Sequence, residues 1–164
     1  MAEPFEVNKM LADTYEPKRS NRFLFQFADE ALPSFAARTM ARPSATIDPV
    51  EIHYLNTIRY LAGKLTWNTM AIGLYDPIAP SAAQKVMEWI RLCYENLSGR
   101  AGYEAFYKKD FSLLMLDPVG ATVEQWDIQG AFITEATFGD LDMASADPAQ
   151  IDVTVRMDKC ILRY

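Results

Sequence analysis

Few residues in this chain have side chains suited to chemistry. His53 is the only histidine among 164 residues, so a Ser–His–Asp or Cys–His relay would have to run through it. It stands in the alternating stretch Val50-Glu51-Ile52-His53-Tyr54, where a period of two turns it away from Val50, Ile52 and Tyr54. It has no identifiable orienting group and reads as a solvated or interface histidine. Asp140, Asp142 and Asp147 form an acidic loop. A calcium loop needs a third oxygen ligand two residues on, then Gly and a distal Glu. Ala144 holds that third position, so a solvated loop is expected. Cys93 and Cys160 have no Cys-x-x-Cys spacing and no histidine cluster, which favours buried free thiols over zinc; a bridge, within or between copies, depends on geometry. Gly99-Arg100-Ala101-Gly102 is too short for a phosphate loop, and no Gly-Lys-Ser/Thr follows. Lys18-Arg19 with Arg22, and Lys108-Lys109, lack the interleaved aromatics of a single-strand binder. With no nucleophile, base and orienting group to assemble, the expectation is no enzyme, no cofactor and no metal.

The bulk composition points the same way. The length suits one domain spanning 1–164. Half the residues are hydrophobic, which excludes a disordered chain. A net charge of −6 disfavours a nucleic-acid clamp, though it suits a surface that nucleic acid slides past. No basic and apolar leader opens the sequence, and no apolar run approaches a membrane span. Two cysteines suit a reducing compartment.

The elements that must position these residues are mostly strands. Residues 1–20 read as an arm, with a short helix near Val7 to Ala12. Arg22 to Phe27 reads as a strand with Phe23, Phe25 and Phe27 on one face; a turn over Asp29 to Pro33 and a return strand from Phe35 to Ala41 would make a hairpin. Residues 42–63 form an extended loop or hairpin rich in exposed apolar side chains, an interface candidate. Lys64 to Tyr75 reads as one long strand whose apolar phase switches between Trp67 and Met70, as at a bulge. The helix spans 81–98: Ser81 and Gln84 have capping-box spacing, Val86, Trp89, Ile90, Cys93 and Leu97 share a face, and Gly99 would stop it. An aromatic linker leads to a second hairpin, Asp110 to Leu116 and Thr122 to Ile128, around Asp117-Pro118-Val119-Gly120. After a turn-rich stretch, Ile151 to Asp158 alternates apolar and polar, the mark of a sheet with one buried face. The fold class is therefore mainly β (α+β), with one flanking helix covering the sheets.

Three blocks give this chain a likeness: Asn21-Arg22-Phe23-Leu24-Phe25-Gln26-Phe27; Tyr54-Leu55-Asn56 with Ile58 and Ala62-Gly63 before the Trp67 strand; and Ile128-Gln129-Gly130-Ala131-Phe132 with Phe138-Gly139-Asp140-Leu141-Asp142. In order and spacing they resemble the tail tube proteins of contractile-tailed bacteriophages, from about residue 20 to 164. Ile133 departs from the proline that members often carry there. The resemblance implies a β-sandwich or barrel-like protomer assembling into hexameric rings, whose strands join in a continuous β-barrel channel and remove the sheet edges. It implies a structural virion protein, assembled in the bacterial cytoplasm, whose stacked rings form the inner tube of the tail. Its partners would be the sheath, baseplate hub and terminator proteins outside, with the tape measure protein and genomic DNA in the lumen and no membrane insertion by this chain. On that basis Val50, Ile52, Tyr54, Asn56, Ile58, Tyr60 and Leu61 are expected at the subunit interface. Glu124, Asp127, Asp152, Asp158, Lys64 and Arg156 are expected to line the channel, and Asp140, Asp142 and Asp147, with the N-terminal arm, to make ring-stacking contacts. The tube of a type VI secretion or other contractile injection system shares the same logic with protein as cargo. A monomeric β-sandwich binding carbohydrate or peptide is the reading from another class.

Overall fold

The structure, a computed structural model, describes residues 16–28 and 34–163. The expected helix near Val7 to Ala12 and the turn over Asp29 to Pro33 lie outside those residues. In chain order the strands are β1 (Phe23–Phe27), β2 (Ala37–Met40), β3 (Ala45–Tyr54), β4 (Thr57–Trp67), β5 (Met70–Tyr75), β6 (Lys109–Leu116), β7 (Thr122–Thr137), β8 (Gln150–Arg156) and β9 (Lys159–Arg163); helices α1 (Ala82–Cys93) and α2 (Glu104–Tyr107) fall between β5 and β6.

One antiparallel ladder runs β1-β6-β7-β8-β5-β2, with β9 also on β7, while among the described residues β3 and β4 pair only with each other. The 16-residue β7 serves two layers. Its first part pairs with β6 and β9, and its second part with β8. The corner is Gly130, at φ 65°, where a Cβ would stand 2.3 Å from Asp158 Oδ2. Only glycine accepts both that backbone and that approach. The Gly130 amide donates to Asp110 Oδ1 at 2.8 Å, and the Asp158 amide donates to the Gln129 carbonyl at 3.2 Å. A first sheet (β1, β6, β9 and the start of β7) thus folds over a second (β2, β5, β8 and the end of β7). Among the described residues these sheets make an open sandwich, and no barrel closes.

The alternation in Ile151 to Asp158 persists in space: Ile151, Val153, Val155 and Met157 are buried, and Asp152, Arg156 and Asp158 are exposed. Facing them across the core are Phe25, Phe27, Phe111, Leu113 and Ile128, with Met70, Ile72 and Leu74 beside them. Phe25 meets Phe27 and Phe111 edge-on, at centroid distances of 4.7 and 5.2 Å, the arrangement ring quadrupoles favour. α1 closes one end of the sandwich through Ala82, Val86 and Trp89. Its N-terminus is doubly capped. Ser81 Oγ accepts from the Gln84 amide at 3.3 Å, and Asp76 Oδ1 accepts from the amides of Ala82 and Ala83 at 2.9 and 3.2 Å. Those contacts satisfy donors that the first helical turn cannot.

Five sequence expectations need correction. β2 is not the hairpin partner of β1: β1 pairs with β6 and β2 with β5, because the chain changes layers through the 3-10 turn at Ser34–Ala36. Lys64 to Tyr75 is not one strand. It breaks at Asn68, whose amide donates to the Ser44 carbonyl at 2.9 Å, so the phase switch marks the chain leaving one hairpin for a different sheet. α1 stops at Cys93, short of 98. Tyr94 turns extended there and bridges to Ala101, leaving Leu97 98% exposed. The Gly99 to Lys109 linker contains α2. The Ile151 to Asp158 strand ends at Arg156, since the chain crosses to the first sheet after Met157 and returns as β9 on β7.

Candidate assembly surfaces

The β3–β4 hairpin is the most unusual surface of the molecule. Residues 42–63, expected to form an extended loop or hairpin, lie mostly within it; it runs from Ala45 to Trp67, about 35 Å at strand rise. Its residues are exposed almost throughout, and only its root, at Trp67, packs on the core. The register places Val50 opposite Leu61, Ile52 opposite Arg59 and Tyr54 opposite Thr57 on one face. Ile47 and Leu65, Glu51 and Tyr60, and His53 and Ile58 pair on the other face. Both faces are therefore apolar. The seven residues expected at the interface are split between them, except Asn56, which shares the tip with Leu55. The sequence reading missed Ile47, Leu55 and Leu65, which are also exposed. Leu55 is 89% exposed and sits at φ 50°, a conformation that costs a non-glycine residue free energy. An isolated two-stranded hairpin is marginally stable in water, and this one presents nine large apolar side chains to it. Such a patch exceeds what a monomer ordinarily exposes.

His53 lies on this hairpin with its side chain solvated, its Nε2 3.7 Å from Glu51 Oε2. Among the described residues no group of three or more His, Cys, Asp or Glu could hold a metal ion. Cys160 is buried and Cys93 half-buried, and both are free thiols. Burial, helped by the charge of Asp127, pushes the Cys160 thiol up to about 11.

The six residues expected along a channel do not share a face. Asp152 and Arg156 stand on the outer face of the second sheet, on β8, with Asp152 3.5 Å from Arg38. Asp127 is on the outer face of the first sheet, on the opposite side of the sandwich. There it accepts from Gln125 and Ser112 at 2.7 and 2.9 Å and pairs with Arg163. Those hydrogen bonds, that of Gln125 foremost, hold its carboxyl below the usual range against the opposing effect of burial. Asp158 sits at the layer crossing, where Lys108 bridges it to Glu104, both at 2.5 Å. Lys64 belongs to the exposed hairpin strand β4.

Glu124 corrects the sequence reading outright. It is 8% exposed and faces inward beside Met115. Face alternation alone assigns it to a wet strand face; in the structure Lys18 and Trp126 reach in to it. Lys18 pairs with Oε2, and Trp126 Nε1 donates to Oε1 at 2.5 Å. The Lys18 hydrogen bond first, then Trp126 and the charge of Arg42, hold this carboxyl below the usual range although burial opposes them. A carboxylate with a depressed folded pKa stabilises the fold above its unfolded value and loses that contribution as pH falls through the folded one. Glu124→Gln is therefore expected to lower stability at pH 7 and to flatten the loss of stability below about pH 4.5, read from denaturant midpoints between pH 7 and 3. Equal pH slopes in both proteins would refute that role.

Asp140, Asp142 and Asp147 occupy the exposed loop between β7 and β8. Its turns are internal: Asp142 Oδ1 accepts from the Ala144 amide at 2.9 Å, and Ser145 Oγ donates to Asp147 Oδ2 at 2.9 Å. Leu141 and Met143 between them are also exposed.

Among the described residues the second sheet has two unpaired edges. β2 pairs only with β5. The end of β7, beyond its last β6 partner at Ala131, pairs only with β8. Four antiparallel strands with both edges open stand beside a detached apolar hairpin. Solved structures with this architecture exist. The fold is that of tail tube proteins. A chain from the cap that terminates the anti-feeding prophage tube matches with a TM-score of 0.75 and 17% identity, over 97% of this chain and 99% of that one. A chain from the extended sheath–tube complex of the extracellular contractile injection system PVC gives 0.72 and 17%, over 98% and 99%. The SPP1 tail tube gives 0.59 and 14%, over 90% and 79%. No protein-family model and no curated protein sequence matches the chain. The resemblance read from three sequence blocks therefore holds at the level of the fold.

Proposed function

We propose that this chain is the tube subunit of a contractile particle, in which copies associate as six-membered rings that stack into a hollow conduit. The observation that carries this is the β3–β4 hairpin, apolar on both faces and detached from its own core. A chain that functioned alone would leave that surface in water. The open edges of the second sheet support the same reading. Strand direction alternates β2, β5, β8, β7, so a second copy's β2 laid beside β7 continues the antiparallel pattern without a break. Six copies would close a barrel of about 24 strands, wider than the porin barrels that already leave an aqueous channel. The bore would be lined by the outer face of the second sheet, with Arg38, Thr39, Glu135, Asp152, Thr154 and Arg156. That face is polar and balanced in charge, suited to cargo that must pass without sticking. Asp127 and Glu124 are not part of this lining. The loop holding Asp140, Asp142 and Asp147, with its exposed Leu141 and Met143, is proposed for contact between rings.

In a phage tail the conduit would carry DNA and the tape measure protein, with a sheath around it and terminator and baseplate hub proteins at its ends, as part of the virion. The alternative, a contractile injection device moving protein, is favoured by the near-complete match to the anti-feeding prophage and PVC chains. Negative-stain microscopy of the purified protein is expected to show rings or filaments with a central bore. Light scattering that finds only a monomer at every concentration would sink the proposal and favour a self-sufficient binding module.

A further inference from the structure

Resting on the ring reading above, we infer that neighbouring copies are keyed together by an ion pair between Arg38 of one and Glu135 of the next. Arg38 belongs to β2, at one open edge of the second sheet. Its guanidinium lies on the outer face above Gly73. Its only ion-pair contact among the described residues is Nη2 to Asp152 Oδ1 at 3.5 Å, long for a charge-assisted hydrogen bond. Its Nε is buried with no hydrogen-bond partner, and a buried donor left unpaired is costly. Glu135 belongs to β7, at the other open edge of the same sheet. It stands opposite Thr154, hence on the same outer face, and it is exposed. No hydrogen bond or ion pair engages its side chain among the described residues.

Within one copy the two cannot meet. β5 and β8 lie between them, which puts their strands about 14 Å apart at ordinary strand spacing. Between copies the geometry reverses. With Arg38 opposite Glu135 in antiparallel register, the four residues of β2 run against Ile133 to Ala136, which continue β7 beyond the layer corner. Outer-facing residues must oppose outer-facing ones, since a slip of one position would turn every side chain to the wrong side. Setting Arg38 opposite Glu135 satisfies that rule. It also gives the exposed part of the Arg38 guanidinium a carboxylate besides Asp152 and gives Glu135 its counter-charge. The unpaired backbone groups at both edges supply attraction without selectivity; the charge pair supplies register and the choice of edge.

Three proteins test this: E135R, R38E combined with D152N, and D152N alone. D152N removes the carboxylate that the reversed residue would otherwise meet in its own chain. E135R and R38E/D152N should each keep the far-ultraviolet spectrum of the parent and yield about ten-fold fewer rings or less, because every junction then carries like charges. Mixed in equal amounts they should recover most of the parental yield. In an alternating ring each Glu135 faces an Arg38, and each reversed pair faces its complement, provided the number of copies is even. Ring formation at parental yield by either charge-reversed protein overturns the pair while leaving the tube reading in place. So does a mixture that does no better than its components. Loss of rings in D152N alone would assign the role of Arg38 to its own chain, which also overturns the pair. A parent that never forms rings takes both readings down.

Discussion

Tyr54→Asp combined with Ile58→Asp is expected to yield a soluble, folded chain that cannot polymerise. The two side chains lie on opposite faces of the β3–β4 hairpin, so the double change places a charge on each. Tyr54 is 73% exposed and Ile58 about half exposed, and neither belongs to the core. Surface changes of this kind ordinarily move stability by less than about 0.5 kcal/mol. The melting temperature should therefore stay within a few degrees of the parent. In an interface, by contrast, each charge would be buried without a partner, at a cost of several kcal/mol per contact, multiplied over every copy. Sedimentation should show monomer at concentrations where the parent forms rings. Normal tubes from the double variant would remove the hairpin from the interface.

The largest effect on stability is expected at Trp89. Its ring is 2% exposed, meets Phe27 edge-on at a centroid distance of 5.4 Å, and donates from Nε1 to the Tyr107 carbonyl at 2.6 Å. That one side chain joins α1, the first sheet and α2. Trp89→Ala should cost about 3–5 kcal/mol from the lost burial and the cavity, with the Tyr107 carbonyl left wanting a donor. For a chain of this length that corresponds to a fall of roughly 10 °C or more in the melting temperature. Trp89→Phe keeps most of the apolar contact and loses the donor, so it should fall well short of that. A Trp89→Ala protein melting within about 3 °C of the parent would show that α1 is not fastened to the sandwich in this way.

What the sequence made legible follows from how local each signal was. Alternation in Ile151 to Asp158, the Phe23, Phe25 and Phe27 face, the Ser81 cap and the Asp117 to Gly120 turn are read within a few residues, and each reappears in the structure. Layer crossings are not local. Nothing within β1 and β2 says that they belong to different sheets, and the sequence signs of a hairpin and of a crossover are alike where a turn joins two short strands. The phase switch near Trp67 was visible, but its cause, a strand ending at Asn68 where a detached hairpin rejoins the body, required the pairing of β3 with β4. Glu124 was misread for the same reason: its partner Lys18 is 106 positions away. The edge residues Arg38 and Glu135 carried no sequence signal at all, since what sets them apart is the strand each lacks on its outer side.

The corner at Gly130 ties the two sheets into one continuous ladder, and in the tube proposed above this would set how force crosses the wall. Because β7 is hydrogen-bonded in both layers, a pull applied to the second sheet would be carried by shear along a single covalent strand to the first, without relying on side-chain packing between them. A wall built of such units would resist peeling apart when driven through a resisting barrier.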